Sequence, residues 1–117
     1  MNEFLYELRA ANLDRLESFG HGGIVDGWNV AEWGCAIAGE TGELCNILKK
    51  VIRQAPNDPP IEELVVEAEE EIADVLIYLD LLAAKLGIDL VEVTARKFNA
   101  VSHRYGVSVM LRAEDER

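Results

Sequence analysis

Apolar residues recur along most of the chain at the three-to-four-residue spacing of a helix, in four stretches divided by breaks. The first covers residues 2–19, where Phe4, Leu5, Leu8, Leu13 and Leu16 make a broad stripe. "GHGGIVDGWN" follows and must be a loop, because so many glycines in so short a stretch oppose regular structure. A second helix is predicted over 30–54, with Asn29 as its N-cap. Three prolines in "APNDPP" end it. A third spans 61–86, opened by those prolines and by Glu62 and Glu63, and stopped at Gly87. The fourth runs over 89–105, with Glu92 three residues beyond Asp89 in a capping-box-like arrangement, and Gly106 closes it. No segment alternates convincingly as a strand; "GVSVMLR" is the nearest. The pattern predicts an all-α, four-helix bundle-like fold in one domain over 1–117, with 107–117 as a frayed tail.

Two of these helices carry an anomaly. On the second, Trp33, Ile37, Leu44, Ile47, Leu48 and Val51 project to one face at about 100° per residue. Glu40 falls within that face, and Glu43 lies about 60° away at its edge. The third helix repeats this. Its inward stripe is Leu64, Ala68, Ile72, Val75, Leu79, Leu82 and Leu86; Glu71 lies in it and Asp74 at its edge. A carboxylate turned towards a core costs several kcal/mol unless it is paired or ligated. Each pair is spaced i, i+3, so its members are neighbours on the helix surface. Two antiparallel helices joined by a short loop would bring the pairs face to face. Four carboxylates around one point repel one another, and divalent cations with oxygen ligands, Mg²⁺ or Mn²⁺ rather than zinc, are the simple remedy.

Composition narrows the field. Half of the 117 residues are apolar, enough for one core, and no apolar run is long enough for a membrane span. The first nineteen residues alternate charged and apolar positions, unlike a signal peptide, so the expectation is a soluble cytoplasmic protein without a membrane partner. A net charge of −11 argues against nucleic acid as partner, since phosphate backbones call for clustered Lys and Arg. Cys35 and Cys45 form no metal or redox motif and are expected to be reduced thiols filling space.

The residues also resemble a family. "GETGEL", then "EEIADVLIYLDLLAAKLGIDL", then "KFNAVSHRYG" look like the MazG-like all-α nucleoside triphosphate pyrophosphohydrolases, whose signature is E-x-x-E, a spacer, then E-x-x-D. Here these are Glu40-Thr-Gly-Glu43 and Glu71-Ile-Ala-Asp74, with 27 residues between, and the resemblance covers 28–105. It implies an oligomeric bundle, dimer or tetramer, and Mg²⁺ held by Glu40, Glu43, Glu71 and Asp74. It further implies cleavage of a nucleoside triphosphate between the α- and β-phosphates, giving a monophosphate and pyrophosphate, in a house-cleaning role. Lys97 matches the family's downstream lysine. Some members place Asn four residues later, where Val101 stands; Asn99 is the candidate here.

Roles within such a site follow from chemistry. Glu43, at the stripe edge, is the candidate to position or deprotonate a water. Lys50, Lys97 and Arg104 are candidate cations for phosphate, although Lys49, Lys50 and Arg53 also suit a helix C-terminus without any ligand. Tyr78 continues the Glu71–Asp74 edge as a candidate ribose or base contact, or as a core-edge ring. Trp28 is the candidate for stacking on a base, and Trp33 for the core. His21 suits solvent, and His103 lacks the E-x-x-H spacing of di-iron bundles. Two other readings stay open: the same chemistry on dUTP or phosphoribosyl-ATP, and a non-catalytic helical interaction protein. A further apolar strip on the third helix, Val66, Ile77, Leu81 and Ala84, predicts a homodimer or homotetramer with Leu81 in the contact.

Overall fold

The α2 start shows how local chemistry sets the elements. Asn29 is extended (φ −82°, ψ 175°), and its side chain accepts a hydrogen bond from the Glu32 N–H at 2.9 Å. The Glu32 carboxylate accepts in return from the Asn29 N–H at 3.2 Å. This reciprocal capping box satisfies two donors that a helix N-terminus leaves orphaned. A computed structural model describes residues 2–18 and 27–113 and contains α1 (Asn2–Ser18), α2 (Val30–Arg53), α3 (Ile61–Lys85) and α4 (Leu90–Arg104). The fold is all-α, with no strand among the described residues. Phe19, most of the glycine-rich loop with His21, and the final four residues lie outside them. No helix among the described residues is long and apolar enough to cross a membrane.

The breaks are built as the sequence demands. Gln54 leaves α2 in the left-handed region (φ 47°), its N–H bonded to the Lys50 carbonyl at 2.9 Å. Asp58 then holds the turn, accepting from Arg53 Nε at 3.0 Å and from the Ala55 N–H at 2.9 Å. Gly87 (φ +71°) ends α3 with a Schellman pair, Ile88 N–H to Ala83 O and Gly87 N–H to Ala84 O. Gly106 (φ +68°) ends α4 the same way, through Val107 N–H to Ser102 O and Gly106 N–H to His103 O.

The helices fall into two compact units, Trp28–Leu82 and Met1–Gly27 with Ala83–Arg117. In the first, α2 and most of α3 bury Trp33, Leu64, Ala68 and Leu81. In the second, Tyr6 donates to the Asp89 carboxylate at 3.4 Å and Arg9 to the Ile88 carbonyl at 2.9 Å, fixing α1 to the α3–α4 corner. Val91 and Ala95 of α4 are buried there. Asn12 and Asp80 are buried polar residues, both engaged in polar interactions.

Several expectations are corrected. Ile72, Leu79 and Leu86, assigned to the α3 stripe, are 56%, 41% and 53% exposed. Leu81, assigned to a contact with another chain, is only 6% exposed and belongs to this chain's own core. A single projection assumes one neighbour along the whole helix. Here the buried side of α3 shifts along its length, from Leu64 and Ala68 to Asp80, Leu81 and Ala83. Leu48 on α2, and Phe4 and Leu13 on α1, are likewise exposed. Cys35 and Cys45 are free thiols as expected, but both are exposed instead of filling space. Within the tail expected to fray, Leu111 is held by α4. The Asn99 amide donates to the Leu111 carbonyl at 2.9 Å and accepts from its N–H at 2.7 Å.

The glycines give a paired prediction. A Cβ at Gly87 or at Gly39 would meet nothing within 4 Å. Gly87→Ala therefore costs backbone strain alone, about 1–2 kcal/mol. Gly39→Ala, in a helix interior, should stabilise by about 1 kcal/mol. Urea unfolding of both variants checks the opposite signs.

Candidate functional site

Three contacts set α2 and α3 antiparallel. Trp33 meets Tyr78 edge-to-face with centroids 5.8 Å apart, Glu40 and Glu43 meet Glu71, and Lys50 shares a cleft with Glu67. As the α2 number rises, the α3 number falls. The capping box fixes where α2 begins, and the Arg53–Asp58 turn fixes how the chain returns.

Midway along, one carboxylate oxygen from each of Glu40, Glu43 and Glu71 lies within 4.8 Å of the others. That is close to the span of roughly 4 Å between ligand oxygens across a single Mg²⁺ octahedron. Glu40 and Glu71 are half-buried and Glu43 is exposed, matching the face-and-edge projection. Asp74, one turn along α3, is half-buried and outside this group of three, although its charge acts on Glu71. The structure thus joins three of the four expected carboxylates and places the fourth beside them.

Glu71 shows the electrostatic cost of this arrangement. Its Oε2 is buried with no hydrogen-bond partner. Two ionised carboxylates are both acceptors, so neither satisfies the other. A proton between Glu40 and Glu71 turns that contact into a hydrogen bond. This contact, with burial and the charges of Glu40 and Asp74, raises the Glu71 pKa above its ordinary 4.5, against a smaller lowering by Glu43. A divalent cation would answer the same need without a proton. The donor set, oxygen only with one orphaned buried oxygen, fits a hard cation.

Aromatic residues lie towards the N-terminal end of α2. Trp28 packs edge-on against Trp33 at 4.8 Å, and Trp33 is buried, as the sequence suggests. Trp28 is half-buried and lines a cleft of about 460 Å³ with Asn29, Ala31, Glu32, Cys35 and Ala36. At the other end, Glu43, Asn46, Ile47 and Lys50 face Glu67, Glu70 and Glu71 around a cleft of about 410 Å³. Asn46, Glu67 and Glu70 escaped the sequence reading. The signal was the ridge 43, 46/47, 50 on α2 and its counterpart one turn before Glu71.

Lys97, Asn99 and Arg104 belong to the other unit. Lys97 is exposed and lines a cleft of about 330 Å³ with Phe98, Val101, Ser102, Tyr105 and Val107. Arg104 lies over the Tyr105 ring at 5.1 Å. The Asn99 amide is bonded at both ends to the Leu111 backbone.

The Glu71 proton gives a pH prediction. A raised folded-state pKa means the folded protein holds this proton more tightly than the unfolded chain. The resulting stabilisation is complete below about pH 4.5 and is lost as pH rises through the higher folded value. Asp58, lowered chiefly by its hydrogen bond from Arg53, acts in a separate window beneath its ordinary 3.8. The melting temperature of metal-free protein should therefore fall with rising pH above 4.5, more steeply than that of Glu71→Gln. Equal slopes would refute the shared proton.

No family model matches the chain, and no solved structure matches it. It is similar to dCTP pyrophosphatase 1 of the mouse, Mus musculus, at 36% identity over 75 residues. That stretch takes in 62% of this chain and 43% of the mouse protein, so the chain spans less than half the length of the curated relative it matches.

Proposed function

We propose that the protein is a Mg²⁺-dependent nucleotide pyrophosphohydrolase of the MazG-like all-α family, converting a (d)NTP and water to a (d)NMP and pyrophosphate. The observation that carries this is the convergence of Glu40, Glu43 and Glu71 oxygens within 4.8 Å, with Asp74 one turn beyond. The similarity to mouse dCTP pyrophosphatase 1 supports the same reading. Glu40, Glu43, Glu71 and Asp74 would hold Mg²⁺, for which Mn²⁺ can substitute. When bound, the ion offsets phosphate charge and stabilises the departing pyrophosphate.

The chain's own residues supply orientation and proton transfer. Glu43 is the exposed member of the cluster and so the one open to a solvent molecule. Its carboxylate orients the attacking water and accepts its proton. The water oxygen bonds to the α-phosphorus, the bond to the bridging oxygen breaks, and that electron pair leaves with pyrophosphate. Trp28 and Tyr78 supply aromatic surface for the nucleoside. Mg²⁺-dependent release of pyrophosphate across an NTP panel is the test. Glu40→Gln, Glu43→Gln, Glu71→Gln and Asp74→Asn should each lose at least about 100-fold in kcat, since each removes a ligand charge or the base. Full activity in any two variants would end this reading.

Assembly into a homodimer or homotetramer is part of the proposal, with a different surface from the one the sequence indicated. Val65, Ile72, Leu76 and Leu79 lie on one side of α3 and are 37–56% exposed. A helix with an uncovered apolar strip beside its packed face is suited to a second neighbour. Ile72→Glu should dissociate the assembly in sedimentation while leaving helicity intact. Leu81→Glu should instead unfold the protein, because Leu81 is buried within one chain.

A further inference from the structure

We infer that the face made by α4 and the segment after it is a contact between two copies of this chain, closed by antiparallel pairing of residues 107–111 about a two-fold axis at Val109. This contact is separate from the exposed strip of α3 and does not depend on the pyrophosphohydrolase reading.

After Gly106 the chain turns back along α4. The Val107 N–H reaches the Ser102 carbonyl at 2.9 Å, and Leu111 then meets the Asn99 side chain, so numbers rise on one element as they fall on the other. The turn leaves the apolar side chains uncovered. Val107, Val109, Met110 and Leu111 are 42–60% exposed, beside Phe98 at 42% and Tyr105 at 71%. Phe98, Tyr105 and Val107 line one cleft, and Val109 to Leu111 continue from it along the chain. With roughly half of each side chain open, this surface is on the order of 500 Å², as large as the largest apolar patch of a typical monomer. Closing two such faces on each other buries about 1,000 Å², enough for a specific contact between proteins.

The backbone gives the contact a direction. Among the described residues, the peptide groups of Ser108, Val109 and Met110 make no hydrogen bond within the chain. Successive unpaired peptide groups between apolar side chains are what the addition of a strand requires. The sequence favours a second copy of the same segment as that strand. Antiparallel pairing centred on Val109 sets Val107 opposite Leu111 in both halves, aliphatic against aliphatic. The same register sets Arg104 opposite Glu114 and Arg112 opposite Gly106, so no two like charges face each other. Centring on Ser108 would bring Arg104 against Arg112, and parallel pairing in register would set each arginine against itself.

Sedimentation of the full chain tests this. Val109→Asp puts two carboxylates together on the axis and should halve the mass of the assembly. Helicity should be unchanged, because Val109 is exposed within one chain. Val109→Pro removes the central N–H and should also halve the mass, whereas Val109→Thr should keep it. Combined with Ile72→Glu, Val109→Asp should leave a monomer. The register is read by cross-linking in a background carrying Cys35→Ser and Cys45→Ser. There Val109→Cys should form a disulfide-linked dimer on mild oxidation, because a residue on the axis meets its own copy, and Glu17→Cys on α1 should not. A monomeric wild type, or a mass that neither Val109→Asp nor Val109→Pro lowers, would overturn the proposal and leave this face to another partner. A lowered mass without the disulfide would place residues 107–111 elsewhere in the assembly and overturn the two-fold pairing.

Discussion

Mutual repulsion among carboxylates on two facing helices is the constraint around which this protein is arranged. α2 and α3 could each have closed their inner faces with leucine. Instead Glu40, Glu43 and Glu71 bring oxygens within 4.8 Å, and one Glu71 oxygen is buried without a partner. Such an arrangement persists only if the rest of the pair holds it in place. Trp33 and Leu64, both almost fully buried, supply that hold, together with the capping box before α2 and the Asp58-centred turn after it. Stability is thus concentrated around the carboxylates and relinquished at them. A cation in their midst would convert the most costly part of the structure into a favourable one.

How much was legible in the sequence follows from which forces are local. Helix ends were readable to within a residue or two, because Asn29, Asp89, Gly87 and Gly106 act on their own neighbourhood. The face-and-edge placement of Glu40 and Glu43 was readable for the same reason, since it needs only helical periodicity. What failed depended on distant partners. Nothing in the local pattern says that Leu81 is covered and Ile72 is not, because the buried side of α3 changes along its length. The hydrogen bonds of Asn99 were out of reach for the same reason. Its partner is the Leu111 backbone twelve residues on, in a segment that periodicity alone treats as unstructured.

Glycine enters in two physically different ways. Gly87 and Gly106 are needed for their dihedral angles, whereas Gly39 and Gly42 sit in ordinary helix with open space where a side chain would be. A glycine inside a helix costs about 1 kcal/mol relative to alanine, and close approach of another backbone or of a substrate is the usual reason to keep one. Within the described chain, no atom lies within 4 Å of where a Cβ at either position would stand. Their effect within one chain is to lower the helix propensity of the turn that carries Glu40 and Glu43, and to leave the surface there low.

The hold on the C-terminal segment has a chemical vulnerability. A primary amide offers the same donor and acceptor pair as a peptide group, so Asn99 stands in for a neighbouring strand at a single residue. Aspartate has almost the same shape but no donor. Spontaneous deamidation of Asn99 would set a carboxylate oxygen against the Leu111 carbonyl, acceptor against acceptor, and exchange an attraction for a repulsion. The release of residues 107–113 would then record the age of the molecule, proceeding at the rate of a slow covalent reaction on one side chain.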